Sequence, residues 1–310
     1  MIKFNRIIVV FAPNSTRAEE YFKKVRPELI KIASQRQATF GEIALDNLPY
    51  FAARDLIEQR LTNDDLLVAA GGDGVAQVAF DAAFRSSSEV TFAVLPLGNG
   101  NDLSRAINGR MTNPAKILNG RTRDFYPLDV CVNGEKTFAL SSYLTLGATV
   151  ILTDFLNRQV ARDRRRKLRF LSPAVGLPLK NLREVSRRIN ALDLPIFMRD
   201  GLTYDHDSLG FFLVNAARGI LRPNKNVTFS NEEFFFHISN QKFGASLLQK
   251  ILRAGLWATR FPGQVSESEE ISFEKPINLT VNLAGDTIEL KDVQKISAER
   301  NRTALKVLAK

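Results

Sequence analysis

Four residues, Gly71-Gly72-Asp73-Gly74, concentrate the chemistry this chain can do. They follow Leu66 to Ala70, an apolar run long enough for one buried strand, and precede Val75 to Arg85, which can form a helix. A strand, a glycine turn and a helix start can make a phosphate site. Glycines let backbone N–H groups approach an anion, and the helix start leaves N–H groups unpaired with a partial positive charge. The carboxylate of Asp73 in the same turn makes sense beside phosphates when a Mg²⁺ or a hydroxyl lies between them. The same four residues could equally do no more than turn the corner from strand to helix.

The elements that must position this turn form a regular series. Ile7 to Phe11 reads as a strand, and Arg17 to Ser34 as a helix with Tyr21, Phe22, Val25, Leu29, Ile30 and Ile32 on one face. Ala38 to Leu45 reads as a strand and Leu48 to Leu61 as a helix. Beyond the glycine turn, Val90 to Leu95 is another strand. It ends in a second glycine turn, Pro96-Leu97-Gly98-Asn99-Gly100-Asn101-Asp102, and a helix begins at Leu103. Such alternation predicts a parallel sheet. Ligands bind such sheets at the carboxyl ends of strands, where both glycine turns lie.

After Phe125 the pattern becomes mainly β. Leu128–Val132, Lys136–Tyr143, Ser208–Val214, Glu233–Ser239, Ile271–Phe273, Ile277–Leu283 and Thr287–Leu290 read as strands. Asn133-Gly134 signals a hairpin, and a helical insertion is expected over about Val150 to Asn190. The expected division is an α/β domain over 1–125 and a β-rich domain over 126–294, with the boundary near 124–127.

The chain has 310 residues, 45% of them hydrophobic, enough for a sizeable core. One cysteine, Cys131, excludes an internal disulfide, and His206 and His237 with that cysteine cannot supply a zinc cluster of the usual spacing. No run approaches the roughly 18 apolar residues of a membrane span. The expectation is a cytoplasmic protein, at most peripheral at the inner face of the membrane. The formal net charge of +10 favours anionic partners. Its densest basic run, Arg158 to Arg169, reads as a solvated helix face or as a dock for anionic lipid head groups. The run lacks interleaved aromatics, so nucleic acid is not the expected partner. Oligomeric state has no linear signature; a homodimer is compatible with the sequence.

The two glycine turns together are more specific than either alone. Gly71-Gly72-Asp73-Gly74 followed by Pro96-Leu97-Gly98-x-x-Asn101-Asp102-x-x-Arg105 resembles the diacylglycerol kinase catalytic family, in its bacterial lipid kinase branch related to sphingosine and ceramide kinases. Leu128-Asp129-Val130 is similar to that family's Asp-bearing strand, and Lys167-Leu168-Arg169-Phe170 to its Gly-Lys-Leu-x-Tyr segment. Asn215 matches the Asn of a later strand, and Ala284-Gly285-Asp286 lies where the family carries Asp-Gly-Glu. In the same comparison Ala12-Pro13 replaces Asn-Pro, Val75 replaces Thr, Val78 replaces Glu, and Asn99 replaces the Thr of the second turn. The family's acidic Pro-Asp-Ala segment has no match between Arg222 and Glu233.

The resemblance implies an N-terminal three-layer α/β nucleotide-binding domain and a C-terminal β-sandwich-like domain. It also implies that the chain end, 295–310, returns to the first domain, with Ala304 to Leu308 as a strand. The implied reaction is transfer of the γ-phosphoryl of ATP, with Mg²⁺, to a lipid hydroxyl. On that reading Gly71, Gly72, Gly74, Val75, Gly98, Asn99 and Asn101 meet the nucleotide. Asp73 and Asp102 organise Mg²⁺ or the loops, Asp129 joins the acidic network, and Asp286 takes the acceptor's proton. A silent relative that binds nucleotide or lipid is the alternative. NAD kinase, which shares Gly-Gly-Asp-Gly, is a third reading.

Overall fold

The computed structural model describes residues 4–15, 17–147, 150–151, 153–154, 197–204, 210–216, 227–239 and 264–310. Its first part runs β1 (Arg6–Phe11), α1 (Ala18–Glu20), a π-helical turn (Tyr21–Val25), α2 (Arg26–Gln35), β2 (Thr39–Ala44), α3 (Tyr50–Glu58), β3 (Asp65–Gly71), α4 (Asp73–Arg85), β4 (Val90–Pro96), α5 (Asp102–Asn108), α6 (Pro114–Leu118) and β5 (Arg121–Phe125). The expected single helix over 17–34 is thus interrupted. Pro27 opens α2 without an N–H to donate, and the turn before it widens to π geometry.

These strands build a six-stranded sheet in the order β2-β1-β3-β4-β16-β5, where β16 (Leu305–Ala309) is the end of the chain. Every residue of β3 is buried, because parallel neighbours flank it and helices cover both faces. One face packs Ile57, Phe80, Leu103 and Ile107 against the sheet; the other packs Tyr21, Leu29, Ile117 and Leu118. This is the three-layer arrangement that the family resemblance implies. β16 lies parallel to β4 (Val307 opposite Phe92) and antiparallel to β5, so the returning chain end is structural.

The second part runs β6 (Leu128–Val132), β7 (Glu135–Leu140), β8 (Tyr143–Thr145), β9 (Phe197–Arg199), β10 (Leu202–Tyr204), β11 (Gly210–Val214), β12 (Phe234–Ser239), β13 (Gln264–Ser266), β14 (Ser268–Leu283) and β15 (Asp286–Arg300). They form one ten-stranded sheet, antiparallel throughout. Three short strands expected between Ile271 and Leu290 are parts of two long ones. Pro276 falls in the gap between the first two of them, and a register shift between Ser272 and Ile277 absorbs it. The chain stays in this sheet through Arg300 and only then crosses back. The helical insertion and the basic run Arg158–Arg169, with Lys167-Leu168-Arg169-Phe170, lie almost wholly outside the described residues.

The expected strand Lys136–Tyr143 also breaks, at Ser141-Ser142, and the reason is contact between the two parts. Gln77, buried in α4, accepts from Ser141 N and Oγ (2.8 Å each) and donates to Ala139 O at 3.0 Å. One turn on, Asp81 accepts from Ala139 N at 2.9 Å and from Tyr50 Oη at 3.0 Å. Two polar side chains four residues apart on an otherwise apolar helix face therefore bond β7 as a neighbouring strand would. At the linkers, Asn215 donates to the carbonyls of Tyr126 (3.0 Å) and Leu140 (2.9 Å). Arg300 donates to Tyr126 O at 2.7 Å and to Asn215 Oδ1 at 2.5 Å. Both crossings between the sheets are thereby tied.

Candidate functional site

The two glycine turns touch through their backbones. β3 and β4 pair in register to Gly71 opposite Pro96, and Leu97 N donates to Gly71 O at 3.0 Å. A Cβ built on Gly98 would stand 2.2 Å from the Cα of Gly72, so only glycine fits there. Asn101, at φ 56°, closes the second turn: its Oδ1 accepts from Gly98 N at 2.9 Å and its Nδ2 donates to Gly98 O at 2.7 Å. Left-handed backbone is tolerable for Asn. Gly71 is glycine because Val75 covers it, with Val75 Cβ 2.6 Å from where a Cβ of Gly71 would stand. Asn99 is exposed at the tip of the second turn.

Asp73 joins the turns. It begins α4 yet its Oδ1 accepts the Leu103 N–H of α5 at 3.1 Å. The backbone N–H groups of Asp102 and Asn101 also stabilise its charge. It therefore serves α5 as a capping acid brought from another helix. Burial, then the neighbouring charge of Asp102, pushes the Asp73 carboxyl well above the ordinary carboxylate range despite those donors. Asp102, first residue of α5, is fully buried.

Asp286 arrives from the other sheet. The turn Ala284-Gly285 has φ of 49° and 95°, a tight hairpin between β14 and β15. Its geometry is fixed by Asn282 Oδ1 accepting from Gly285 N at 2.9 Å and by Ala284 N donating to Tyr143 O at 2.9 Å. Asp286 follows that turn, and its Oδ2 lies 2.1 Å from where a Cβ of Gly74 would be. The carboxylate thus rests on the first turn of α4, at the positive end of the helix. Loss of hydration raises its pKa to about 6, a shift its solvent-facing edge opposes.

Tyr143 and Arg17 also reach the site, though neither lies in a sequence motif. Burial, then the charges of Asp73, Asp102 and Asp286, raises the Tyr143 phenol well above its ordinary value. Arg17 donates to Pro96 O at 2.7 Å while paired with Glu20, setting a cation at the end of β4. Tyr143 reaches the acids through the β8–β14 pairing, and Arg17 through the loop after β1. The pair Gln77 and Asp81 did carry a signal, as polar positions inside an apolar helix face.

Asp129 is not brought into this group, contrary to the expectation that it joins the acidic network. It pairs with Lys136 at 2.7 Å and accepts from Asn301 at 2.6 Å. Lys136 in turn lies over the ring of Phe84 in the last turn of α4. At 1.5 Å per residue that end is roughly 15 Å from Gly74. Among the described residues no three acidic, histidine or cysteine side chains close around a metal position. The oxygen donors of Asp73 and Asp102 suit Mg²⁺, which commonly takes one or two carboxylates and completes its shell with phosphates and water.

Residues 6–131 match the family model for the diacylglycerol kinase catalytic domain. A YegS-like lipid kinase of Pseudomonas aeruginosa (strain UCBPP-PA14) is 38% identical over 85 residues, 27% of this chain and 28% of that protein. A diacylglycerol kinase of Staphylococcus aureus (strain JH9) is 27% identical over 209 residues, 64% of this chain and 59% of that one. The matches therefore span between about a quarter and three fifths of those relatives' length. The crystal structure of a diacylglycerol kinase from Bacillus anthracis str. Sterne superposes over 100% of this chain and 98% of its own, with a TM-score of 0.64 at 16% identity. That likeness extends the common fold to the β-rich part.

Proposed function

We propose, for a chain whose residues 6–131 match the diacylglycerol kinase catalytic-domain model, that it transfers the γ-phosphoryl of ATP to the hydroxyl of a lipid. The observation that carries the reading is the seat of Asp286 on Gly74: an acid from one sheet meets the glycine turn of the other. Phosphoryl transfer asks a protein mainly for positioning and charge stabilisation. The backbone N–H groups at the start of α4 would face the phosphates, and Arg17 would add positive charge beside them. A bound Mg²⁺, held by Asp73 and Asp102, would neutralise charge on the β- and γ-phosphate oxygens. Asp286 takes the proton of the acceptor hydroxyl. The acceptor oxygen bonds to γ-phosphorus, the bond from γ-phosphorus to the bridging oxygen breaks, and ADP leaves with that electron pair. A carboxylate raised toward 6 is still ionised at pH 7 and is a stronger base than an ordinary aspartate.

The basic run Arg158–Arg169 and the net charge of +10 support work at an anionic bilayer surface. No helix among the described residues is long and apolar enough to cross a membrane. A panel of ATP acceptors tests the assignment: diacylglycerol, sphingosine and phospholipids in mixed micelles, with NAD as a soluble competitor reading. Labelled lipid is expected. Labelled NAD without labelled lipid would replace this reading with the third one.

Val75 favours a second reading, a nucleotide-binding protein without turnover, because it offers no hydroxyl to a phosphate. Stabilisation by ATP and Mg²⁺ without any labelled product would establish that reading instead.

A further inference from the structure

Tyr143 supplies neither the phosphate cradle nor the base in that transfer. Tyr143 begins β8, and its ring is anchored among Val214, Val227 and Phe235. Its carbonyl accepts the Ala284 N–H at 2.9 Å, so this one residue also holds the turn that presents Asp286. Its hydroxyl is directed at the same turn, 3.8 Å from a Cβ built on Gly285. Asp286 directly follows Gly285 in the chain, so the hydroxyl and that acid flank one turn. A neutral phenol can act toward an anion or an alcohol oxygen only as a donor. It is the kind of group an acceptor alcohol needs here, since a carboxylate can take that alcohol's proton but cannot hold its oxygen.

We propose that the Tyr143 hydroxyl donates a hydrogen bond to the oxygen of the acceptor alcohol and so aims its proton at Asp286. The proposal rests on the phosphoryl-transfer reading. Tyr143 exchanges no proton; the acceptor's proton passes to Asp286, and the acceptor oxygen, still held by the phenol, bonds to γ-phosphorus. The site then discriminates in favour of an unhindered alcohol that can accept one hydrogen bond while donating another. Tyr143→Phe removes the hydroxyl and leaves the ring among its apolar neighbours.

The test compares wild type and Tyr143→Phe with labelled ATP and dioctanoylglycerol or sphingosine in detergent micelles, alongside thermal unfolding. The expected result is a fall in kcat over acceptor KM of about 10-fold, the value of one hydrogen bond, with ATP KM and Tm unchanged. If wild type transfers and Tyr143→Phe matches it within twofold, the proposal is overturned while the kinase reading stands. If wild type transfers to neither lipid, binding of dioctanoylglycerol micelles to both proteins decides. Weaker binding by the variant supports a hydroxyl contact, and equal or absent binding overturns it.

Discussion

The Asp286 carboxylate occupies the space a side chain on Gly74 would need, at 2.1 Å from the Cβ position. Gly74 is therefore glycine so that an acid from the far end of the chain can sit on the helix start. Gly74→Ala should retain the fold, because the obstructing atoms belong to a side chain beside solvent. It should displace Asp286 and lower phosphoryl transfer by roughly 10²-fold or more, as loss of a general base does. Unfolding midpoints and transfer rates measured together check this; loss of both in proportion would point to a structural effect alone.

Gly71 and Val75 form a second pair. The methyl of Gly71→Ala would meet Val75 Cβ at 2.6 Å, Cγ2 at 2.8 Å and Cγ1 at 2.9 Å. Overpacking of this kind costs about 1–3 kcal/mol. Adding Val75→Ala removes the two Cγ contacts but keeps the 2.6 Å Cβ contact, so it should recover only part of that cost, which a denaturant double-mutant cycle measures as a favourable coupling. Additive losses would show that the two side chains do not compete for the same space.

Much of the parallel sheet is legible in the sequence, because β1, β3 and β4 are continuous apolar runs with turn residues after them. The site is legible only in part. The glycines announce themselves, yet their reason is close packing against Val75, Gly98 and Asp286 rather than unusual dihedral angles, and no sequence window contains those partners. Asp73 is visible as an acid, but its role in holding Leu103 N depends on the register of β3 against β4. Asp129 misleads because its motif places it on a strand whose partners, Lys136 and Asn301, come from elsewhere in the chain. Ser141-Ser142 breaks a strand pattern because Gln77 competes for the backbone.

Asp81 gives the fold a pH dependence. Burial raises its pKa to about 6 against donors from Ala139 and Tyr50 that lower it. The folded state therefore holds a proton that the unfolded state releases between about pH 4 and 6, and stability contributed by that proton is lost as pH rises through this window. Asp81→Asn lacks the titration. Its stability relative to wild type should rise by about 2 kcal/mol from pH 4 to 7. A constant difference across this range in urea unfolding would contradict the assignment.

Val75→Thr restores a hydroxyl with almost no change in volume. In a turn that cradles phosphate the new hydroxyl meets an oxygen of the nucleotide, and ATP binding or transfer improves by about 10-fold, as for one charge-assisted hydrogen bond. Isothermal titration with ATP and Mg²⁺ checks this. An unchanged affinity and rate would mean that position 75 faces the core alone.

The most direct test of the central claim is transfer from γ-labelled ATP to micellar lipid by wild type and Asp286→Asn side by side, with ATP binding measured for both. The account predicts labelled lipid from wild type and a loss of roughly 10²- to 10⁴-fold in the variant, with nucleotide affinity retained. Equal labelling by the two proteins, or no labelled lipid from wild type, would contradict it.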